Sequence, residues 1–170
     1  MEIRKKLSII IISVIIIIAA FYTNSLHNSL KTQEFIISTK NQVKIADDYY
    51  NKADEYVNNG DYENAIIMRE KSAYEISKAL KDVQTQSLYS TGVYKVYFNN
   101  KICLLSSKLR LINLKLQLDH QNNPKEKTYW TDYNLSGNNI KMLNQEIIKY
   151  ESIEKKIIAK NKDSFKLLKL

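Results

Sequence analysis

Residues that commonly carry out chemistry are few in this chain and stand apart from one another. The two histidines, His27 and His120, have no His or Glu three or four positions away, although a metal site on a helix needs ligands at that spacing. The single cysteine, Cys103, excludes an intramolecular disulfide and is expected to be a small core residue. The sequence therefore predicts a protein without catalytic activity, metal or cofactor.

Acidic residues are more frequent, but their spacing does not suit a catalytic or metal site. Asp47 and Asp48 are adjacent, so on a helix their side chains point in different directions. Residues 54–61 are faintly similar to a calcium-binding loop, but the oxygen-bearing side chains are out of register with Gly60. We interpret these carboxylates as parts of a solvated helix face.

Arg69 falls on the inward stripe of its predicted helix. A charge in that position is costly unless it is paired or reaches solvent through its long stem. Arg69 is therefore expected to pair with an acid of the preceding helix, to bind an anion, or to extend its guanidinium to the surface.

Basic residues are concentrated in the second half of the chain. Residues 31–82 carry eight bases and ten acids, residues 83–94 carry no charge, and residues 95–170 carry fifteen bases and seven acids. Such asymmetry indicates an anionic partner, such as lipid headgroups, a cell-wall polymer or an acidic protein; ordinary solvated lysine faces are the alternative. Nucleic acid is not expected as a partner. The bases predicted to contact the partner are Lys108, Arg110, Lys115, Lys155, Lys156 and Lys160.

The helices that must position these bases follow an apolar N-terminal segment. Arg4, Lys5 and Lys6 precede a run from Leu7 to Tyr22 that consists mainly of isoleucine. At about 1.5 Å per residue, this run is close to the shortest that spans a hydrocarbon core of about 30 Å. The sequence predicts a basic cytoplasmic stub over residues 1–6, a transmembrane signal-anchor over residues 7–23 and an extracytoplasmic domain over residues 24–170.

The predicted orientation follows from the positive-inside rule. The stretch from Thr23 to Leu30 has no Lys or Arg to compete with the N-terminal bases, so the domain after it is expected outside the cytoplasm. A cleaved export signal, which would give a secreted protein, is the alternative. Ala19 and Ala20 are small enough for cleavage, but Ile18 stands where a small residue is usually needed.

Scarce glycine, a single proline and apolar residues spaced by three and four predict an all-α domain. A first helix ends before Gly60, which suits the left-handed conformation at a helix C-terminus, and Asp61 can cap the second helix. Because the turn is so short, the two helices are expected to be antiparallel neighbours.

The hairpin also has small and aromatic residues at characteristic places: Ala53, Tyr56, Gly60, Asp61, Tyr62 and Ala65. In these residues it resembles one tetratricopeptide-type repeat, over about residues 49–80. The resemblance implies that Ala53 and Ala65 lie where two helices approach closely. Arg69 and Ser72 replace an aromatic residue and an alanine of that pattern, and no second copy follows at the expected period, so we interpret the segment as a tight αα-hairpin.

Two further helices complete the predicted fold. The uncharged residues 83–94 form the next connection, unless their first part extends the second helix. A third helix with a wide apolar face is followed by the longest loop, residues 119–132, in which Tyr129 and Trp130 are expected to pack on the bundle. A fourth helix begins between residues 132 and 138 and can reach the end of the chain. The prediction is an N-terminal transmembrane helix followed by a four-helix antiparallel bundle made of two hairpins.

The function most consistent with this pattern is that of a membrane-anchored extracytoplasmic interaction or scaffolding protein. A ligand-sensing bundle of an envelope sensor system is the second hypothesis, and an enzyme is the least supported. A polar pocket between helices would favour sensing, whereas an exposed basic or apolar surface on a closed core would favour an interaction role.

Overall fold

The computed structural model describes residues 2–125 and 137–168, with side-chain surroundings from Ser13 onward. Within these ranges the chain is helical and contains no strand, which confirms the all-α prediction. The helices are α1 (Glu2–Asn58), α2 (Tyr62–Tyr89), α3 (Gly92–Asn122) and α4 (Gly137–Lys160), followed by a short 3₁₀ helix (Lys162–Phe165).

Helix α1 runs unbroken for 57 residues, from the apolar segment into the bundle. No Gly or Pro precedes Gly60 in the chain. The hydroxyls of Thr23 and Thr32 donate to backbone carbonyls of the preceding helical turn, so these polar residues do not interrupt the helix. The predicted boundary between the transmembrane segment (residues 7–23) and the domain (residues 24–170) therefore falls inside one continuous helix. By length and composition, the described part of α1 contains a stretch apolar enough to cross a membrane, and this stretch is not buried inside the bundle.

The turn between α1 and α2 has the predicted chemistry. Gly60 has a φ of +74°, and the Asp61 carboxylate accepts a hydrogen bond from the backbone N–H of Asn64 at 3.2 Å. Ala53 and Ala65 are completely buried, which confirms the close approach of the two helices. Small side chains at these positions allow the helix backbones to pack tightly.

The connection between α2 and α3 consists of only Ser90 and Thr91. Of the two interpretations of residues 83–94, the one in which the second helix is extended is therefore correct. Val83 and Ser87 are buried in the bundle, and this packing outweighs the loop-like composition of the stretch. Helix α3 likewise continues through Asn122, so the first residues of the predicted long loop are helical. The predicted packing of Tyr129 and Trp130 lies outside the described residues.

Helix α4 ends at Lys160 rather than reaching the end of the chain. The 3₁₀ helix that follows turns Phe165 back onto α3, where its ring centroid lies 5.4 Å from that of Tyr94 and 5.5 Å from that of Tyr97. Phe165 is buried as a result, and aromatic contacts of this kind are favourable at such distances.

Consecutive helices pack against one another as antiparallel neighbours. Helices α1 and α3 therefore run in the same direction, and two ion pairs between them, Lys108 to Asp47 and Lys115 to Asp54, share the same sequence separation of 61 residues. The core is formed by all four helices and the 3₁₀ helix. Its fully buried members include Ile36, Ala46, Ile76, Val83, Tyr97, Phe98, Leu105, Ile158 and Phe165.

Cys103 is exposed, so the prediction that it lies in the core is wrong. Its neighbours Lys101, Leu104 and Leu105 are buried. The wide inward face of α3 passes through these positions and leaves position 103 on the solvent side.

Candidate functional site

Arg69 joins three helices through an ion-pair cluster. Its side chain is 1% exposed. Nε donates to a carboxylate oxygen of Asp119 at 3.1 Å, one terminal nitrogen donates to the Tyr50 carbonyl at 2.9 Å, and the other contacts the Asp54 carboxylate. Because Asp54 lies on α1, pairing with an acid of the preceding helix is confirmed. The bond to Asp119 of α3 was not foreseen.

Lys115 completes this cluster, which contains two bases and two acids. Its Nζ lies 2.8 Å from the Asp54 carboxylate. Burial raises the pKa of Asp54, but the hydrogen bonds from Lys115 and Arg69 outweigh it and hold that pKa below its ordinary value. Burial also raises the pKa of Asp119, where Arg69 opposes it only in part. Asp54 accepts hydrogen bonds from two bases, whereas Asp119 accepts only from Arg69 and lies near the charge of Asp54. The side chain of Asp119 is also the less exposed of the two, at 6% against 38%.

A second buried cluster joins α3 to α4. Lys101 Nζ lies 2.9 Å and 3.2 Å from the two carboxylate oxygens of Glu154, and the Tyr97 hydroxyl donates to the same carboxylate at 2.8 Å. Burial, together with the charge of Glu154, raises the pKa of the Tyr97 hydroxyl far above its ordinary value. Tyr97 therefore stays protonated and acts as a hydrogen-bond donor.

Both clusters are internally satisfied. In residues 13–125 and 137–168, every buried polar side-chain atom has a hydrogen-bond partner. The same residues contain no group of three His, Cys, Asp or Glu side chains that could hold a metal ion. Charged groups arranged in this way hold neighbouring helices together. The stability of each cluster depends on all of its members, because removing one leaves another buried without its partner.

The six bases predicted to contact a partner differ in whether they form ion pairs within the bundle. On α3, Lys108 binds Asp47 at 2.8 Å and Lys115 binds Asp54, while Arg110 lies 3.9 Å from Glu146 and is 62% exposed. On α4, Lys155, Lys156 and Lys160 are exposed and form no ion pair with any described residue. Lys108 and Lys115 therefore have partners inside the bundle, whereas the three lysines of α4 point to solvent.

Lys149 extends the exposed bases of α4. Positions 149, 156 and 160 are separated by seven and four residues, so they share one face of the helix. We call these three lysines, together with the exposed Lys155 on the adjoining side of the helix, the basic face of α4. Lys149 was not among the predicted bases, although its spacing to Lys156 and Lys160 is visible in the sequence. The Lys149 ammonium lies 5.6 Å from the ring centre of Tyr150, next to it in the chain.

A polar cleft of about 900 Å³ opens between α1 and the connection from α2 to α3. Side-chain amides, hydroxyls and one ammonium group line it, together with the rings of Phe21, Phe35, Tyr89 and Tyr94. The cleft lies at the end of the bundle next to the apolar segment of α1, rather than between helices in the core. Its polar lining includes Asn24, Asn28, Lys31, Thr32, Gln86 and Thr91.

The resemblance of about residues 49–80 to a tetratricopeptide-type repeat stays a prediction. No known protein family, curated protein or solved structure matches this chain.

Proposed function

We propose that this protein is a membrane-anchored helical interaction module without catalytic activity. In this proposal residues 1–6 remain in the cytoplasm, residues 7–23 span the membrane and residues 24–170 form a bundle outside. Its basic face on α4 contacts an anionic protein or polymer.

The observation that carries the proposal is the exposure of the apolar part of α1. The side chains of Ile16, Phe21 and Tyr22 are 61%, 72% and 71% exposed. An uninterrupted row of such side chains needs an apolar environment, and a hydrocarbon bilayer supplies it along the length of a helix. The basic residues before this segment favour a cytoplasmic N-terminus. The continuous helix then connects the span directly to the bundle.

The basic face of α4 supports an anionic partner. Lys155, Lys156 and Lys160 have no ion-pair partner among the described residues, and a cluster of unpaired like charges attracts an anion over a wider range than one exposed pair does. Near an anionic surface, each suitably placed base contributes about 1 kcal/mol. A few such bases give measurable binding that depends on salt.

Replacing Lys155, Lys156 and Lys160 together by glutamine is expected to weaken binding to an anionic polymer at least about tenfold, since about 1.4 kcal/mol corresponds to that factor. The measurement is a titration of the full-length protein in neutral-lipid nanodiscs with polyglutamate or polyglycerol phosphate, at low and high salt. Binding should fall with salt, because the Debye length shrinks to about 3 Å at 1 M.

The matched control replaces Lys52, Lys78 and Lys81, three exposed lysines of α1 and α2, by glutamine. It removes the same net charge but leaves the basic face intact, so its affinity should stay near that of the unchanged protein. Equal losses in both variants would show that net charge alone drives binding. That result, or no binding at low salt, would contradict the role of this face.

Ligand sensing remains the second candidate function because of the polar cleft beside α1. Such a site would place a small polar ligand between α1 and the connection from α2 to α3, where amide and hydroxyl groups converge. A ligand bound there would alter how α1 leaves the bundle.

A further inference from the structure

The bundle begins very close to the apolar segment of α1. Ser29 and Gln33 bond to the rest of the bundle. The Ser29 hydroxyl lies 2.7 Å from that of Tyr94, and the side-chain oxygen of Gln33 accepts a hydrogen bond from the Leu167 N–H at 2.8 Å. Ser29 is seven residues beyond Tyr22, a rise of about 10 Å along a helix. The polar headgroup layer is about 5–8 Å thick on each side of the hydrocarbon core. If α1 spans a membrane, this end of the bundle lies at the lipid surface.

We call this region the anchor-proximal end: residues 29–33 of α1, residues 86–94 around the connection from α2 to α3, and residues 160–168. It carries the two most exposed large apolar side chains of the described residues, Leu88 at 75% and Tyr89 at 80%. Tyr89 lines the same cleft as Phe21 and Asn24, so it reaches the level at which the apolar segment ends.

The chemistry of this end matches a membrane interface. Tyrosine is enriched at the level of the lipid headgroups, where its ring is buried and its hydroxyl stays hydrated. Residues 83–94 carry no charge, so Leu88 and Tyr89 form an apolar patch on an uncharged stretch, and at its edge the Lys95 ammonium donates to the Ser87 carbonyl at 2.6 Å. An apolar centre with basic residues at its rim is the pattern of surfaces that lie on anionic lipid.

Exposed lysines also belong to the anchor-proximal end. Lys31 lines the cleft, Lys160 ends α4, and Lys162 begins the 3₁₀ helix. The acid nearest to this group in sequence, Asp163, lies 3.6 Å from Lys166, and both of these side chains are highly exposed. Long lysine stems can extend their ammonium groups to lipid phosphates while their methylenes cover apolar surface.

We propose that the anchor-proximal end is a lipid-contact surface, in which Leu88 and Tyr89 enter the headgroup layer of the leaflet that α1 leaves and Lys31, Lys160 and Lys162 contact anionic headgroups. The bundle then rests on the membrane instead of standing clear of it. This inference depends on the proposed membrane anchoring of α1. It shares Lys160 with the basic face of α4, and the experiment below leaves that residue unchanged.

Quenching of a fluorescent label by nitroxide lipids tests this proposal. The label is attached to Thr91→Cys in full-length protein with Cys103→Ser, in nanodiscs that contain anionic lipids with a nitroxide on the headgroup. Thr91 is exposed and forms no side-chain capping bond, so it suits a label. Strong quenching is expected at this position, and little at Asn59→Cys in the turn at the opposite end of the bundle.

The variant Leu88→Asp with Tyr89→Asp should reduce the quenching at position 91 at least twofold, because the aspartates are repelled from the headgroup layer. Ile67→Asp with Tyr74→Asp is the matched control. These residues are also exposed on α2, at 44% and 66%, but lie towards the opposite end of the bundle. Both variants should keep the circular dichroism of the unchanged protein, since the replaced side chains are exposed.

The outcomes separate this proposal from the anchoring on which it depends. If the protein enters nanodiscs but the label at position 91 is unquenched, or is quenched equally in the Leu88→Asp, Tyr89→Asp variant, the lipid-contact surface is wrong and the anchoring stands. If Leu88 and Tyr89 instead join two chains in one nanodisc and the label at position 91 is not quenched, the patch is a contact between two copies of this chain. The lipid-contact surface is then wrong as well. A protein that does not enter nanodiscs overturns both proposals.

Discussion

Replacing Arg69 by methionine is expected to lower the free energy of unfolding by about 3–5 kcal/mol, the usual cost of breaking a buried ion pair by removing one partner. Asp119, with a side chain 6% exposed, would lose its cationic partner, and the Tyr50 carbonyl would lose a donor. Asp54 would retain Lys115. The loss would be a large share of the total stability of a small domain, which is about 5–15 kcal/mol. Denaturant unfolding of the full-length protein in detergent, followed by circular dichroism, measures it.

Two control variants separate this effect from a general loss of charge. Lys78→Met removes an exposed base of the same helix and should change stability by less than about 0.5 kcal/mol. Arg69→Met combined with Asp119→Leu should recover much of the loss, because apolar residues often replace a buried ion pair without cost. A loss below about 1 kcal/mol in the single variant would contradict the role of Arg69, since it would fall within the range of an ordinary hydrogen bond.

The Arg69→Met variant should also respond differently to pH. Burial raises the pKa of Asp119, and removing Arg69 takes away the main influence that lowers it. A carboxyl group whose pKa is higher in the folded than in the unfolded state contributes stability at low pH, and this contribution is lost as the pH rises through the folded pKa. The difference in free energy of unfolding between the Arg69→Met variant and the unchanged protein should therefore be smaller in mild acid than at neutral pH, as measured by denaturant unfolding at both.

Replacing Lys101 by methionine is the second change with a large expected effect, again about 3–5 kcal/mol. It would leave the Glu154 carboxylate, 9% exposed, with only the Tyr97 hydroxyl as a partner. Because this cluster joins α3 to α4, we expect the loss to be local. Amide hydrogen exchange should accelerate throughout α4 and remain slow in the α1–α2 hairpin.

The control for Lys101 is the triple variant Lys101→Met, Glu154→Leu and Tyr97→Phe. It removes all the polar groups of the cluster, so none is left buried without a partner, and most of the stability should return. Uniform acceleration of exchange in all four helices after Lys101→Met would show that the cluster is not a local tie between α3 and α4.

The parts of this fold that were predictable from the sequence are those set by neighbouring residues. Apolar spacings of three and four indicate helices, and the pair Gly60 and Asp61 gives the turn because one suits a left-handed backbone and the other caps a helix. The inward position of Arg69 follows from the same spacing. Its partner on α3 does not, because Asp119 lies 50 residues further along the chain.

The features that the sequence did not indicate have the same physical origin as the Asp119 partner of Arg69. Lys108 and Lys115 belong to a strongly basic half of the chain, but each pairs with an acid 61 residues earlier, which only helix packing brings near. Residues 83–94 have the composition of a loop, yet the burial of Val83 and Ser87 continues α2 to Tyr89. The basic face of α4 was partly predictable, since it depends only on spacing within one helix.

The central claim is that α1 crosses a membrane and holds the bundle outside the cytoplasm. Cys103 allows a direct test, because it is the single cysteine of the chain and is exposed on α3. Intact cells, or spheroplasts where an outer membrane is present, are treated with a membrane-impermeant maleimide and compared with lysed cells.

The matched control is Glu2→Cys in a Cys103→Ser background, which places the thiol in the predicted cytoplasmic stub. We expect Cys103 to react in intact cells and the control thiol only after lysis, with the protein in the membrane fraction. Reaction of Cys103 only after lysis, or a shortened protein found in the medium, would contradict the claim.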